Sequence, residues 1–367
     1  MKAAVLKSYK DPLVIEQVPD PEISADGAII EVKACGVCRS DWHGWKGEWT
    51  GFLAPLPHIL GHEMSGEIVE VGSRIKNFKK GDRVIVPFTQ GDGTCPQCQA
   101  GHSNVCDHQT MPGFTYNGGF AQFVAIPNAD INLKRLPDGV EFLEASAMGC
   151  RFMTAFHGVT SVGNIHPGEW VAIYGAGGVG LSAIQIATAI GASVIAVDIA
   201  EDKLKFAERL GAVATINSRT VDAPEAIKDL THGGANVSVD ALGIQDTMLN
   251  AVNSLAKRGR HVQIGMTAFG REGMLKLPIN DLIAREISFN GSFGMPIQEY
   301  TGMLHMVEKK YLRPARLITR AISLEGIDAA FNDMTTFSGM GVTVVDEFRE
   351  KKPAREVHFE DGLVSAI

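Results

Sequence analysis

The chain has 367 residues, of which 45% are hydrophobic and 21% are charged, and its formal net charge is −8. This length is enough for two domains, and the composition is typical of a globular protein with a large core. The acidic balance argues against a nucleic-acid or anionic-membrane partner, because either would require a local basic patch. Residues 1–7 contain no long apolar stretch, so no signal peptide is predicted and we expect a cytoplasmic protein.

Short alternating runs between glycines and prolines dominate the first 150 residues. We predict strands at residues 28–34, 66–72, 82–87 and 121–126. This pattern indicates a mostly β region, folded as a partly open barrel.

The chain changes character at about residue 151, where predicted strands and helices begin to alternate. We predict strands at 171–174, 193–198, 237–240, 259–265 and 286–291, and helices at 180–190, 202–210 and 247–255. Such alternation predicts a parallel sheet with crossover helices. One more helix is predicted at about 297–310, and a strand at 341–345 is expected to return to the first domain.

One uncharged run, residues 170–197, is long enough to cross a membrane. Four glycines interrupt it early, and a short run rich in β-branched residues stands at each end. We therefore predict a strand, a turn, a helix and a second strand, buried as a parallel sheet requires, and no transmembrane helix.

The same run contains a glycine-rich nucleotide fingerprint. Its residues are Gly175, Gly177, Gly178, Val179 and Gly180, directly after a predicted strand and before a helix. This pattern allows a tight turn, a close approach of the backbone to a pyrophosphate, and close packing of helix on strand. Asp198 ends the next strand and would accept hydrogen bonds from the adenosine ribose, which favours NAD over NADP. An ordinary turn with a helix-capping Asp198 is the alternative, and Lys203 could contact the ribose or simply be exposed.

Cys38, His62 and Cys150 together offer two thiolates and one imidazole. Three such ligands leave the fourth position of a tetrahedral zinc ion open, as in a catalytic site. Asp41 is the candidate to hold the other ring nitrogen of His62, and Glu63 could lie behind the metal. Alternatively, Cys150 is a buried apolar thiol and His62 a packed loop residue.

Ser40, His43 and Arg39 lie close to Cys38 in the sequence. Ser40 could accept the proton of a bound alcohol, and His43 could pass that proton to solvent as a general base. Arg39 would contact the cofactor pyrophosphate. Without the neighbouring ligand, Ser40 would be interpreted as a turn residue and His43 as an exposed one.

Asp92, Cys95, Cys98 and Cys106 form a second ligand set in a glycine-rich loop. Closely spaced soft ligands in a loop without its own core are typical of a closed, structural zinc site. His102 or His108 could replace Asp92 as the fourth ligand, and a Cys95–Cys98 redox pair is the rival interpretation. Cys35 is left over and is expected to be a buried free thiol.

These segments resemble the zinc-dependent alcohol dehydrogenases of the medium-chain dehydrogenase/reductase superfamily. The likeness rests on the segments at residues 35–43 and 61–66, followed by Gly72 and Ile75. It implies an α/β fold with a GroES-like, mostly-β catalytic domain (1–151 and 295–367) and a Rossmann domain with a doubly wound parallel sheet (152–294). It implies a catalytic zinc, a structural zinc and NAD, and further cofactor contacts are predicted at Ile264, Met266 and Phe293.

This sequence departs from the family pattern at two positions and matches it informatively at a third. Asp92 stands where the family usually has a first structural cysteine, and Val342 stands where many members have an arginine for the pyrophosphate. Cys150 matches the third ligand of the alcohol branch, whereas some secondary-alcohol enzymes have Asp there and polyol enzymes have Glu.

We therefore predict an enzyme that oxidises alcohols reversibly to aldehydes or ketones by hydride transfer to NAD. Trp49 and Phe88, and less clearly Met111 and Phe114, are predicted to line an apolar substrate pocket. The alternatives are a polyol or threonine-type zinc dehydrogenase and a zinc-stabilised nucleotide-binding module without turnover. We expect a small-molecule substrate, no nucleic-acid or membrane partner, and a homo-oligomer, with a tetramer favoured over a dimer.

Overall fold

A computed structural model describes residues 1–267 and 273–357. The predicted first domain extends to residue 367, so its last ten residues lie outside the described part. The strands are β1 (Lys2–Leu6), β2 (Val14–Gln17), β3 (Ala28–Val37), β4 (His58–Ile59), β5 (Glu63–Val71), β6 (Arg83–Val86), β7 (Phe123–Ile126), β8 (Lys134–Arg135), β9 (Trp170–Tyr174), β10 (Ser193–Asp198), β11 (Ala214–Asn217), β12 (Ala235–Asp240), β13 (Leu255–Gln263), β14 (Ser288–Gly291), β15 (Ile318–Ser323), β16 (Val342–Glu347) and β17 (Arg355–Glu356).

The helices connect these strands or cover the faces of the sheets. They are α1 (Arg39–Lys46), α2 (Pro96–Gln99), α3 (Ala129–Asn132), α4 (Phe142–Ser146), α5 (Arg151–His157), α6 (Gly178–Ile190), α7 (Glu201–Arg209), α8 (Ala223–Thr231), α9 (Gln245–Asn253), α10 (Ile279–Arg285), α11 (Tyr300–Glu308) and α12 (Ile327–Thr336). A π-helical turn at Gly158–Val162 and short 3-10 turns at Ser103–Val105, Ile297–Glu299, Pro314–Leu317 and Leu324–Gly326 complete the set.

A six-stranded parallel sheet forms one half of the molecule. Its strand order is β11-β10-β9-β12-β13-β14, and every pair is parallel. The order reverses between β9 and β12, and in such doubly wound sheets ligands bind beyond the carboxyl ends of the strands at that reversal. The predicted α/β fold with a Rossmann-type sheet is confirmed.

The glycine-rich turn joins β9 to α6 at this point of reversal. Gly175 has a φ of 95°, which favours a residue without a side chain. A Cβ atom on Gly180 would overlap the carbonyl oxygen of Gly175. The turn can therefore close tightly over the end of β9 only with glycine at both positions.

The other half of the molecule contains two sheets. One follows the order β17-β15-β16-β3-β5-β6-β8, with β7 also paired to β3, and a three-stranded sheet has the order β2-β1-β4. Strand β16 runs antiparallel to β3, with Val345 opposite Cys35. The C-terminal strand thus joins the sheet formed by the N-terminal region, as the sequence predicts.

Several elements were not predicted from the sequence. Strand β11 lies at a sheet edge and buries only Ile216, so its apolar alternation is weak. Helix α12 is half polar, but it buries Phe331, whose ring centroid lies 5.5 Å from that of Trp45. The helix predicted at 297–310 is a 3-10 turn followed by α11. Across the described ranges, no helix is long and apolar enough to span a bilayer.

Candidate active site

Three buried side chains from separate elements converge at one end of the β3–β5 sheet. Cys38 precedes α1, His62 precedes β5, and Cys150 precedes α5. Together with Glu63, they offer ligand atoms that all lie within 4.8 Å of one another. The structure therefore brings together the three side chains that the sequence nominated for a metal.

The hydrogen bonds of His62 leave one ring nitrogen ready for a metal. Its Nδ1 donates to Asp41 Oδ1 over 2.8 Å, and Asp41 also accepts from the backbone nitrogens of Cys38 (2.9 Å) and Gly61 (3.0 Å). The other ring nitrogen, Nε2, is buried and has no hydrogen-bond partner among the described residues. Since a buried polar atom is normally paired, an unpaired Nε2 beside two thiols fits zinc coordination.

The thiols of Cys38 and Cys150 interact directly with each other. A hydrogen bond from the Cys150 thiol lowers the pKa of Cys38 well below its usual range. Two adjacent sulfurs compete for protons in this way, and a divalent cation would replace those protons. The donor set of two sulfurs and one imidazole suits zinc.

The second predicted ligand set also converges, in the loop around α2. Ligand atoms of Asp92, Cys95, Cys98 and Cys106 lie within 4.8 Å of one another, and the sulfurs of Cys95 and Cys106 are 3.7 Å apart. Four closely spaced ligands without an open position match a closed site.

Asp92 belongs to this cluster, and the two alternative histidines do not. Asp92 Oδ1 accepts hydrogen bonds from the backbone nitrogens of Thr94 (2.8 Å) and Cys95 (2.9 Å), while His108 Nδ1 donates to Asp92 Oδ2 over 2.7 Å. The backbone bonds, the Cys95 one above all, and the His108 bond lower the pKa of Asp92. The carboxylate is therefore ionised, as a ligand must be. Cys35 lies outside both clusters as a buried free thiol, as predicted.

A cleft of about 1600 Å³ links the first ligand cluster to the glycine-rich turn. Most residues nominated from the sequence line it: Cys38, Arg39, Ser40, His43, Trp49, His62, Phe88, Met111, Phe114, Cys150, Gly175, Gly177, Gly178, Val179, Asp198, Lys203, Ile264, Met266 and Phe293. Asp41, Glu63 and Gly180 are not among the residues lining it. These three residues lie behind the surface of the cleft, where they support the residues that line it.

The nucleotide end of the cleft fits a dinucleotide. Asp198 Oδ2 accepts a hydrogen bond from the backbone nitrogen of Ala176 over 2.7 Å, so the end of β10 holds the glycine-rich turn. A Cβ atom on Gly177 would meet nothing within 4 Å, which leaves room for phosphate. The cleft is also lined by Thr154 and Ser292, whose buried hydroxyls lack hydrogen-bond partners among the described residues. These hydroxyls could pair with the polar edge of a bound cofactor.

The predicted relay residues lie on one face of α1. Ser40 and His43 are three residues apart in this helix, so their side chains are neighbours. Ser40 Oγ is 3.9 Å from Cys38 Sγ. His43 Nδ1 contacts Glu48 Oε2 over 2.5 Å, and its ring stacks on Trp49 with a centroid distance of 5.0 Å.

Among the arginines that line the cleft, Arg39 and Arg151 lie in different settings. The Arg39 guanidinium lies over the rings of Trp42 (3.7 Å) and Phe337 (4.6 Å) and donates to the carbonyl oxygen of Met334. Arg151 is buried and forms an ion pair with Glu63. The sequence analysis nominated Arg39 and Glu63 but not Arg151.

Comparisons with known proteins identify the family of the chain. Residues 24–138 match the alcohol dehydrogenase GroES-like domain, and residues 178–309 match the zinc-binding dehydrogenase family. An alcohol dehydrogenase from Geobacillus stearothermophilus is 34% identical over 335 residues, which covers 91% of this chain and 95% of that protein. The chain belongs to the zinc-dependent alcohol dehydrogenases of the medium-chain dehydrogenase/reductase superfamily.

Two further relatives of this dehydrogenase are described with different cofactors. An NAD-dependent alcohol dehydrogenase from Sulfurisphaera tokodaii is 31% identical over 356 residues, covering 94% of this chain and 99% of that one. A zinc-binding dehydrogenase from Sinorhizobium meliloti, solved bound to NADP, has a TM-score of 0.84 and 30% identity, with 94% and 98% of the two chains covered. Membership of the family therefore leaves the choice between NAD and NADP to the residues of this chain.

Sequence reasoning missed several polar residues of this dehydrogenase. Arg151 directly follows a predicted ligand in an apolar stretch, where a charge requires a partner, and that signal was available. Glu48 is only five residues from His43 and could have been found as its partner. Thr154 and Ser292 carried no signal, because unpaired hydroxyls are visible only in the folded chain.

Proposed function

We propose that this dehydrogenase oxidises apolar alcohols to aldehydes or ketones, and catalyses the reverse reaction, with NAD and a catalytic zinc ion. The observation that carries the proposal is the convergence of Cys38, His62 and Cys150, with an unpaired His62 Nε2, in the same cleft as the glycine-rich turn. A bound zinc ion would act as a Lewis acid that lowers the pKa of an alcohol, and a bound nicotinamide would accept the hydride.

We assign proton removal to Ser40 and His43. The Ser40 hydroxyl is close enough to Cys38 to meet a hydroxyl of a substrate bound beside the ligand cluster. Glu48 accepts a hydrogen bond from His43 Nδ1, so Nε2 is the nitrogen that can take up a proton. Stacking on Trp49 holds the ring in this orientation. The pair of carboxylate and imidazole thus favours proton transfer from the cleft to solvent.

The pH dependence of alcohol oxidation should report on Glu48. Burial lowers the pKa of His43, and the hydrogen bond that His43 donates to Glu48 partly offsets this effect, with smaller contributions from the Glu48 charge, Arg39 and Cys38. In Glu48→Gln the pKa of His43 should fall further, so the acidic limb of kcat/KM should move to lower pH. We expect kcat to fall by about tenfold. A general base contributes roughly 100- to 10,000-fold to the rate, and the loss of Glu48 would change the pKa of the base His43 without removing it.

Glu70→Gln is the matched control, because Glu70 is an exposed carboxylate on β5, and its pH profile should equal that of the wild type. An acidic limb that stays in place in Glu48→Gln, or moves to higher pH, would refute the assignment.

An aromatic wall beside the ligand cluster supports apolar substrates. The His62 ring centroid lies 5.1 Å from that of Phe114 and 6.0 Å from that of Phe88. Phe88 in turn contacts Phe293 at 5.7 Å, and Trp49 lies 5.9 Å from Phe114. Such a wall offers few hydrogen bonds to the several hydroxyls of a polyol, which would lose hydration on binding.

Asp198 supports NAD rather than NADP as the cofactor. Its carboxylate ends β10 at the cleft, where it would meet the adenosine ribose and repel a 2′-phosphate. In Asp198→Asn we expect the ratio of kcat/KM with NAD to that with NADP to fall by about tenfold, because the repulsive charge is gone. Asp202→Asn, an exposed position at the start of α7, should keep the wild-type ratio. An unchanged ratio in Asp198→Asn would assign the cofactor choice to other residues.

The experiment that tests the whole proposal is a substrate screen with zinc-loaded protein. Benzyl alcohol, 2-butanol, ethanol and polyols such as sorbitol would be offered with NAD and with NADP, and the reduced cofactor followed by absorbance. We expect turnover of the apolar alcohols with NAD. Turnover of polyols alone would favour the polyol-type alternative, and cofactor binding without turnover of any alcohol would favour a non-catalytic module.

A further inference from the structure

We propose that Arg151 is a cation for the cofactor diphosphate, and that its ion pair with Glu63 fixes the nucleotide turn relative to the predicted metal ligands. This inference rests on the proposed function, because it assumes that a dinucleotide binds in the cleft. Arg151 is a positioning residue here with respect to the metal cluster and a binding residue with respect to the cofactor.

The pair of Glu63 and Arg151 is buried and forked. Arg151 Nε donates to Glu63 Oε1 over 2.9 Å, Arg151 Nη2 donates to Oε2, and the Arg151 backbone nitrogen donates to Oε1 over 3.1 Å. The Arg151 side chain is 8% exposed and that of Glu63 is fully buried. Because a guanidinium held by two parallel hydrogen bonds cannot rotate freely, the carboxylate sets the direction of the remaining nitrogen.

Three glycines from different parts of the chain make room for this pair. A Cβ atom on Gly36 would collide with Glu63 Oε2, and one on Gly149 would lie 2.7 Å from Glu63 Cα. A Cβ atom on Gly178 would lie 2.5 Å from Arg151 Cδ and 3.3 Å from Nη1. Gly178 is the first residue of α6 and belongs to the nucleotide fingerprint. The arginine therefore packs directly beneath the turn where the diphosphate is expected.

The guanidinium has one nitrogen left over. Arg151 Nη1 makes no hydrogen bond within residues 1–267 and 273–357, while Nε and Nη2 are both held by Glu63. Arg151 also lines the cleft. A charged donor beside the amino end of α6 adds a full positive charge to the partial charge of the helix, which suits a phosphate group.

Arg39 is less available than Arg151 to bind a phosphate group. Its guanidinium lies between the rings of Trp42 and Phe337 and donates to the Met334 carbonyl oxygen. Arg151 has no ring contact among the described residues and has a fixed acidic partner that is adjacent in sequence to His62. The ion pair thus connects the nucleotide turn to the ligand-bearing segments on both sides, through Glu63 beside His62 and through Arg151 beside Cys150.

The test compares ligands with and without the diphosphate. Dissociation constants for NADH, ADP-ribose and adenosine would be measured on zinc-loaded wild type, Arg151→Met, Arg151→Lys and Glu63→Gln. We expect Arg151→Met to weaken NADH and ADP-ribose by at least about tenfold and adenosine by less than about twofold. Arg151→Lys should be intermediate, since it keeps the charge without the fork. Glu63→Gln should show a smaller loss for ADP-ribose, because the cation remains but is less well oriented.

Arg74→Met is the control for lost charge, because Arg74 is an exposed residue whose side chain is 69% accessible, and its three dissociation constants should match the wild type. A folded Arg151→Met variant with wild-type affinity for ADP-ribose, or with equal losses for ADP-ribose and adenosine, would overturn the inference. Unchanged ADP-ribose binding in Glu63→Gln would overturn the role of the ion pair.

A second measurement keeps the inference testable if the variants do not fold. In a crystal structure of the wild type with ADP-ribose, Arg151 Nη1 should lie within about 3.2 Å of a phosphate oxygen. A phosphate held only by other residues would overturn the inference. Failure of the proposed function looks different, since then the wild type itself would not bind NADH or would bind it without oxidising any alcohol.

Discussion

Replacing Cys150 with serine is expected to lower kcat/KM for alcohol oxidation by at least about a thousandfold, because Lewis-acid activation supplies several kcal/mol to such a reaction. Serine preserves the size of the side chain before α5, but it removes one of the two soft ligands. The dissociation constant of NADH should stay within about threefold of the wild-type value, because the glycine-rich turn is unchanged. A threefold change corresponds to less than about 1 kcal/mol of binding free energy. Steady-state kinetics, fluorescence titration with NADH and zinc analysis would measure the three effects.

Cys35→Ser is the matched control for this variant. Cys35 is also buried, but it belongs to neither ligand cluster; it packs in an apolar core cluster, with its sulfur 3.7 Å from the Gly36 carbonyl oxygen. The control should retain its zinc and its turnover. Wild-type turnover by Cys150→Ser, or loss of NADH binding with turnover retained, would reverse the assignment of the site.

Replacing Asp92 with alanine is expected to release the second zinc ion and to destabilise the loop around α2. The four ligands stand in a segment with only one helical turn and one 3-10 turn, so the metal would supply most of its folding free energy. We expect zinc content to fall from two ions to one, and the midpoint of thermal unfolding to drop by at least about 5 °C. Proteolysis should begin within residues 90–110.

Two companion variants sharpen this prediction. Asp92→Cys offers a softer ligand at the same place and should keep both zinc ions and the wild-type midpoint. Asp107→Ala, an exposed residue of the same loop outside the cluster, should also behave as the wild type. Two tightly held zinc ions in Asp92→Ala would mean that another group completes the second site.

The half with the parallel sheet was predictable from the sequence because its signals are local. The uncharged run at 170–197, divided by Gly175 and Gly180, predicts β9, α6 and β10 to within a few residues. Edge strand β11 and helix α12 were missed because each is fixed by packing against distant elements. Local periodicity carries no record of such contacts.

The candidate site divides in the same way. Cys38, His62 and Cys150 could be nominated because thiols and imidazoles are scarce and chemically specific. Arg151 could not be assigned to Glu63 from the sequence, since 88 positions separate them and only the fold joins them. The contact between Arg151 and the first residue of α6, Gly178, is likewise visible only in the folded chain.

The metal cluster facing the cleft is tested most directly by anomalous scattering at the zinc absorption edge from crystals of the zinc-loaded protein. A peak should lie about 2.3 Å from the sulfurs of Cys38 and Cys150 and about 2.0–2.1 Å from His62 Nε2. A second peak should lie among Asp92, Cys95, Cys98 and Cys106. A zinc ion only at the second cluster, with the first three side chains too far apart to share a metal, would contradict the account.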